Sequence, residues 1–141
     1  MTKVLSALEA AANWDGRELE IATTPKGLAQ LSEVLRHAPS DMRRFSTLPT
    51  SEEGRIRLIE VQSGSGLLSL RIDGDIAVFT GSVESFALLA RNLENLSAQW
   101  QQGRIDHFHF DPSSDTLLLD PDSEAFIFGR MDGETDVASI I

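Results

Sequence analysis

Between Ser82 and Gly103 apolar side chains return every third or fourth residue. Phe86, Leu89, Ala90, Leu93, Leu96 and Trp100 fall on one face of a helix, and Glu84, Arg91, Glu94, Asn95 and Gln101 fall elsewhere. Ser82 offers an N-cap and Gly103 a stop, so the pattern predicts about five turns with one wide apolar stripe. Such a stripe has to be buried against a second layer, and the flanking sequence supplies strands for it. Ile56 to Val61, Leu67 to Ile72 and Ile76 to Thr80 read as strands, the first two joined by Gly64-Ser65-Gly66 and the last two by the hairpin signal Asp73-Gly74. After Gly103 come three more candidates, Ile105 to Asp111, Thr116 to Asp120 and Ala125 to Phe128.

The first half is less sharply marked. Val4, Leu5, Leu8, Ala11 and Ala12 sit at helical spacing over residues 2–12, which predicts a short N-terminal helix broken by Asn13-Trp14-Asp15-Gly16. Glu18 to Ala22 alternates around Leu19 and Ile21 as a strand. Thr24 followed by Pro25 then signals the start of a second main helix, with a stripe of Leu28, Leu31, Val34 and Leu35 and an end near His37 and Ala38. Residues 39–54 read as a long polar loop holding Met42-Arg43-Arg44-Phe45. Strand, capped turn, helix, strand, strand is a shared order, and it suggests pseudo-repeat halves at 17–72 and 75–129; the competing reading is coincidence between two generic units. The expected class is α+β: a mainly antiparallel sheet with two main helices on one face.

At 141 residues the chain is expected to form a single domain, 1–141, long enough to bury roughly two-thirds of its unfolded surface. Cysteine is absent, which removes disulfides, thiolate nucleophiles and cysteine-based metal sites. No secretory h-region and no run of about 18 apolar residues is present, so a cytoplasmic location without membrane insertion is expected. Against 12 basic side chains stand 22 acidic ones, a formal net charge of −10. A field of that sign repels phosphate backbones and argues against nucleic acid as a partner, while it speeds encounter with a basic one; its plainer role is solubility.

The densest chemistry lies in Asp106-His107-Phe108-His109-Phe110-Asp111. As a strand it alternates, Phe108 and Phe110 turning to the core with Asp106, and His107 and His109 projecting from the uncovered side. Histidines at i and i+2 have Cβ atoms about 6.5–7 Å apart and could share a zinc or iron, but Asp111 lies about 13 Å from His107 along the same straight strand and cannot join them. A third ligand would have to come from Asp120, Asp122, Glu124 or the long loop, and nothing in the sequence brings one there. A solvated or partner-facing histidine pair is the stronger reading. No cofactor is called for.

Asp111, Asp115, Asp120, Asp122 and Glu124 crowd into fourteen residues without the alternation or glycine of a calcium loop. Asp111-Pro112 and Asp120-Pro121 read first as turn openers; the functional alternative is an acidic rim that meets lysines or arginines of another protein. No serine lies in a G-x-S-x-G elbow, and Trp14 and Trp100 read as core or interface fillers.

Leu68 to Gly81, then Phe86-Ala87-Leu88-Leu89-Ala90, then His107-Phe108-His109-Phe110-Asp111 resembles the Imm32 immunity-protein family of bacterial polymorphic-toxin systems, over roughly Leu67 to Phe128. The resemblance implies a small cytoplasmic protein that binds a cognate toxin, many of which are basic, and does no catalysis. The expected contact set is His107, His109, Asp111, Asp115, Asp120 and Asp122. A metal-dependent enzyme built on His107 and His109, and a structural or homodimerising module, stand as alternatives.

Overall fold

The computed structural model describes residues 3–5, 8–37, 43–50, 53–103 and 107–131. Its elements run β1 (Lys3–Leu5), β2 (Ala10–Trp14), β3 (Glu18–Thr23), α1 (Pro25–Arg36), β4 (Arg43–Ser46), β5 (Arg55–Ile56), β6 (Leu58–Ser63), β7 (Ser69–Asp73), β8 (Ile76–Gly81), α2 (Val83–Gln101), β9 (His107–Phe110) and β10 (Ala125–Arg130).

Both expected helices form from the signals that predicted them. Thr24 Oγ1 accepts the Gly27 N–H at 3.0 Å with Pro25 opening α1, and Ser82 Oγ accepts the Ser85 N–H at 3.1 Å to open α2. Leu28, Leu31 and Leu35 of α1 and the full predicted stripe of α2 are buried, and the two helices lie against each other, Ser32 Oγ reaching the Ala90 carbonyl at 3.4 Å.

The class is α+β with mostly antiparallel pairing, as expected, but the strands divide between two sheets of five, ordered β1-β4-β6-β8-β7 and β5-β2-β3-β10-β9. Antiparallel pairs are β2–β3, β2–β5, β4–β6, β7–β8 and β9–β10; β1–β4, β6–β8 and β3–β10 run parallel. Each parallel pair is reached through crossovers rather than tight turns, which is how parallel strands have to be joined. With β5 left out, the order and pairing of β2-β3-α1-β4-β6 parallel those of β7-β8-α2-β9-β10, a division that puts β7 with the second set and so departs from the expected halves 17–72 and 75–129. In each set the leading hairpin lies in one sheet and the two later strands in the other.

One hydrophobic core joins the inner faces of both sheets to the helices. The sheets meet directly where the Phe79 ring stands edge-on to Phe126, with centroids 5.2 Å apart. Phe126 also stacks on Phe110 at 4.8 Å and meets Phe128 edge-on, so the inward side of β9 and β10 is an aromatic cluster.

Four expectations fail. The N-terminal helix does not form: residues 3–5 are β1, and 10–14 are β2, whose Ala10 and Ala12 alternate inward while the whole strand pairs with β3. Alanine favours helix on its own, and the cross-strand ladder overrides that weak preference. Asn13 and Trp14 accordingly end β2, and Asp15-Gly16-Arg17 is the hairpin turn, in which Asp15 Oδ1 accepts the Arg17 and Glu18 N–H groups and Gly16 takes φ +95°. The polar loop of 39–54 contains β4, fixed by the buried Phe45 against Ile59. The strand expected at Thr116 to Asp120 is instead turn and edge cover. Leu68 N–H bonds Leu118 O, Asp120 N–H bonds Leu68 O, and Glu124 N–H bonds Leu70 O, so the segment shields the open side of β7. The run Ile56 to Val61 also splits at Arg57 into β5 and β6, one in each sheet. Ile105 and Asp106, at the start of the expected β9 run, lie outside the described residues.

Gly27 is where the first helix meets the β2 approach. A Cβ there would stand 2.4 Å from the Glu9 carbonyl oxygen and 1.9 Å from Thr23 Oγ1, and the backbone oxygen cannot swing away. Gly27→Ala is expected to lose about 1–3 kcal/mol of unfolding free energy in urea titrations. Gly129→Ala, with nothing within 4 Å of the added methyl, is expected to stay within about 0.5 kcal/mol.

Candidate partner-binding face

Strand alternation decides which side chains of β9 meet solvent. Phe110 is buried and Phe108 turns to the same inner side, while His107 and His109 project outward and are exposed, as the sequence pattern predicted. Register carries the pattern across the sheet. His109 stands opposite Ile127 on β10, Ile127 opposite Glu20 on β3, Glu20 opposite Asn13 on β2, and Asn13 opposite Arg55 on β5. These five residues make one row over the outer face of the second sheet.

The neighbouring positions complete the face. Glu18 stands opposite Ala125, and that short side chain leaves the glutamate room to cross β10 and meet His109, Nδ1 to Oε2 at 3.1 Å. The ring donates there as the Nδ1–H tautomer or as imidazolium, and in the latter state the contact is an ion pair. His107 stands edge-on to His109 with ring centroids 5.2 Å apart. Beside them lies a recess of about 240 Å³ lined by Asn13, Trp14, Asp15, Glu18, Glu20, Glu53 and Ile127. Four carboxylates around one shallow recess make this the acidic side of the sheet, suited to lysine or arginine side chains of a partner.

The expected acidic residues distribute differently. Asp111 follows β9 directly and spends its carboxylate on its own turn, accepting Ser113 Oγ–H at 2.6 Å and Ser113 N–H at 2.8 Å. These bonds, with a smaller contribution from the nearby His109 charge, hold its carboxyl below the usual aspartate range. Asp115 Oδ2 accepts the Asp111 N–H at 2.8 Å. Asp120 and Asp122 sit in the next turn, Asp120 Oδ1 accepting the Asp122 N–H while the Asp120 N–H donates to the Leu68 carbonyl just before β7 of the other sheet. The turn-forming role of the two Asp-Pro steps is thus visible directly. Asp111 is near the histidines, and Asp120 and Asp122 belong to the edge cover of the first sheet.

Glu18, Glu20, Asp15, Glu53 and Trp14 do not figure in the sequence-derived contact set, yet they line the recess across β10 from the histidine strand, and Glu18 reaches His109. The alternation Glu18-Leu19-Glu20-Ile21 puts both glutamates on an outer face, but only the pairing of β3 with β10 shows which outer face. Trp100, 1% exposed, is a core filler; Trp14 packs partly on the core and partly lines the recess. Among the described residues no three His, Asp or Glu side chains gather so as to hold a metal ion. His37 closes α1 beside Glu33, away from the pair. No described helix is long and apolar enough to cross a membrane.

Residues 77–131 match the family model of immunity protein 32, and no curated protein and no solved structure matches the chain. The matched segment runs from β8 through α2 and β9 to β10, so it holds His107, His109 and Ile127, while Glu18 and Glu20 come from outside it.

The lowered Asp111 carboxyl gives a sign for pH dependence. A depressed folded-state pKa stabilises the turn above the unfolded aspartate value, and that contribution is lost as pH falls through the folded value. In carboxyl-detected NMR titrations Asp111 is expected to titrate below 3.8, and Ser113→Ala should move its midpoint upward.

Proposed function

We propose that this chain is an immunity protein that neutralises a cognate toxin by binding it directly, without catalysis. The observation that carries the reading is the match of residues 77–131 to the immunity protein 32 family. A soluble cytoplasmic protein that occludes its partner accounts for the rest: no catalytic set in the sequence, a net charge of −10, and carboxylates beside an exposed histidine pair.

The contact surface is the outer face of the second sheet. His107 and His109 supply flat, partly apolar contacts at its edge, and Glu18 and Glu20, with Asp15, Glu53 and Asp111 around them, supply the charge. The partner is accordingly basic. Asp115, Asp120 and Asp122 add to the negative field that steers it without lying in the same row. Phosphate backbones are repelled by the same field, so nucleic acid is not a partner in its own right.

The test uses the product of the adjoining reading frame, because an immunity gene lies beside its toxin. Co-expression with this chain is expected to restore growth, and Glu18→Lys with Glu20→Lys should weaken the measured affinity by roughly 10–100-fold, mostly through a slower association that loses its salt dependence. His107→Ala with His109→Ala should weaken it as well. A folded double-histidine variant with full affinity removes the histidines from the contact, and absence of any complex removes the reading. Stoichiometric zinc or iron in the purified protein would instead favour a metal-dependent role.

A further inference from the structure

Strand β9 ends its sheet, and its other neighbour is open among the described residues. The remaining sheet edges are guarded or short: β7 is covered by 118–124, β1 has three residues and β5 has two. An exposed edge free of lysine and proline invites an added strand. On its inner side Phe108, 37% exposed, opens into a groove of about 260 Å³ that it shares with Leu88 and Asn92 of α2, Asp115 and Leu117. Leu117 is 88% exposed at the tip of its turn, so three large apolar side chains meet solvent together at this edge: Leu88, Phe108 and Leu117. Isolated exposed apolar residues need no explanation, but a contiguous set beside an unpaired strand does.

Resting on the immunity reading above, we infer that the toxin engages this chain by adding an extended segment to the free edge of β9, with alternate side chains read on the two sides of the sheet. Inward positions of the added strand fall over Phe108, Leu88 and Leu117 and take apolar side chains. Outward positions fall beside His107 and His109, with the Asp111 carboxylate next along the strand and Glu18 reaching His109 from the β10 side, and take lysine or arginine. The segment therefore alternates apolar and basic residues. Charge selects this occupant over a second copy of the chain, since self-pairing would set two molecules of net charge −10 and two histidine pairs against each other.

The experiment combines hydrogen exchange with calorimetry on the full chain and the product of the adjoining reading frame. Complex formation is expected to protect the amides of residues 107–110, and Leu117→Asp should weaken binding by about tenfold or more. Val83→Asp, at a position 61% exposed but outside the groove, should leave affinity unchanged. A complex that forms with no protection at 107–110, or with Leu117→Asp binding as the parent does, overturns the inference and leaves the immunity reading standing. Self-association of the free chain that Leu117→Asp abolishes overturns it in favour of a second copy. Absence of a complex overturns both.

Discussion

The parallel pairing of β3 with β10 is the constraint on which the rest of this structure depends. It joins Glu18–Thr23 to Ala125–Arg130, strands from opposite ends of the described chain, along six consecutive partners. Leu19 and Ile21 are thereby set against Phe126 and Phe128 on the inner side, all four fully buried. On the outer side the same register brings Glu20 to Ile127 and lets Glu18 reach His109. Core and candidate face are two sides of one seam. Pairing of this kind is slow to form, because the loop closed is long and its entropy is lost before the contacts reward it. The nearer hairpins, β2–β3 and β7–β8, can form first and present their strands to it.

Polar chemistry at the chain's turns stabilises this arrangement locally. Asp15, Asp111 and Asp120 each accept N–H groups of the turn they open, which satisfies backbone donors that no ladder reaches. On the outer side of the first sheet Glu60, 4% exposed at its side chain, is held by Arg44 at 2.6 Å and by the Gln62 amide. Buried polar oxygens need hydrogen-bond partners, and here one comes from the flanking strand and one from its own. The acidic composition is thus partly structural, and even around the Trp14 recess Asp15 serves its own turn and Glu18 meets His109.

Much of this was legible in the residues. Helix starts at Thr24-Pro25 and Ser82, the alternation of Phe108 and Phe110 against His107 and His109, and the Asp73-Gly74 turn all express local rules that tertiary contacts reinforce. The resemblance to immunity protein 32 was legible too, and the family match lies in the same half of the chain. What escaped is what depends on partners distant in sequence. Ala10 to Ala12 look helical until β3 is set beside them, and Phe45 looks like loop until Ile59 covers it. Leu117 and Leu118 look like one strand, while in the fold the first is exposed and the second buried beneath it. Glu18 and Glu20 gained their place only through β10.

Cross-saturation NMR shows whether the β3–β10 seam builds the proposed contact face. With the unlabelled product of the adjoining reading frame bound to the labelled chain, saturation transfer is expected at the amides of Glu18, Glu20, His107, His109 and Ile127, with Arg71 and Asp73 on the other sheet unaffected. Saturation confined to Arg71, Asp73 and their neighbours, with the β3, β9 and β10 amides silent, would contradict it.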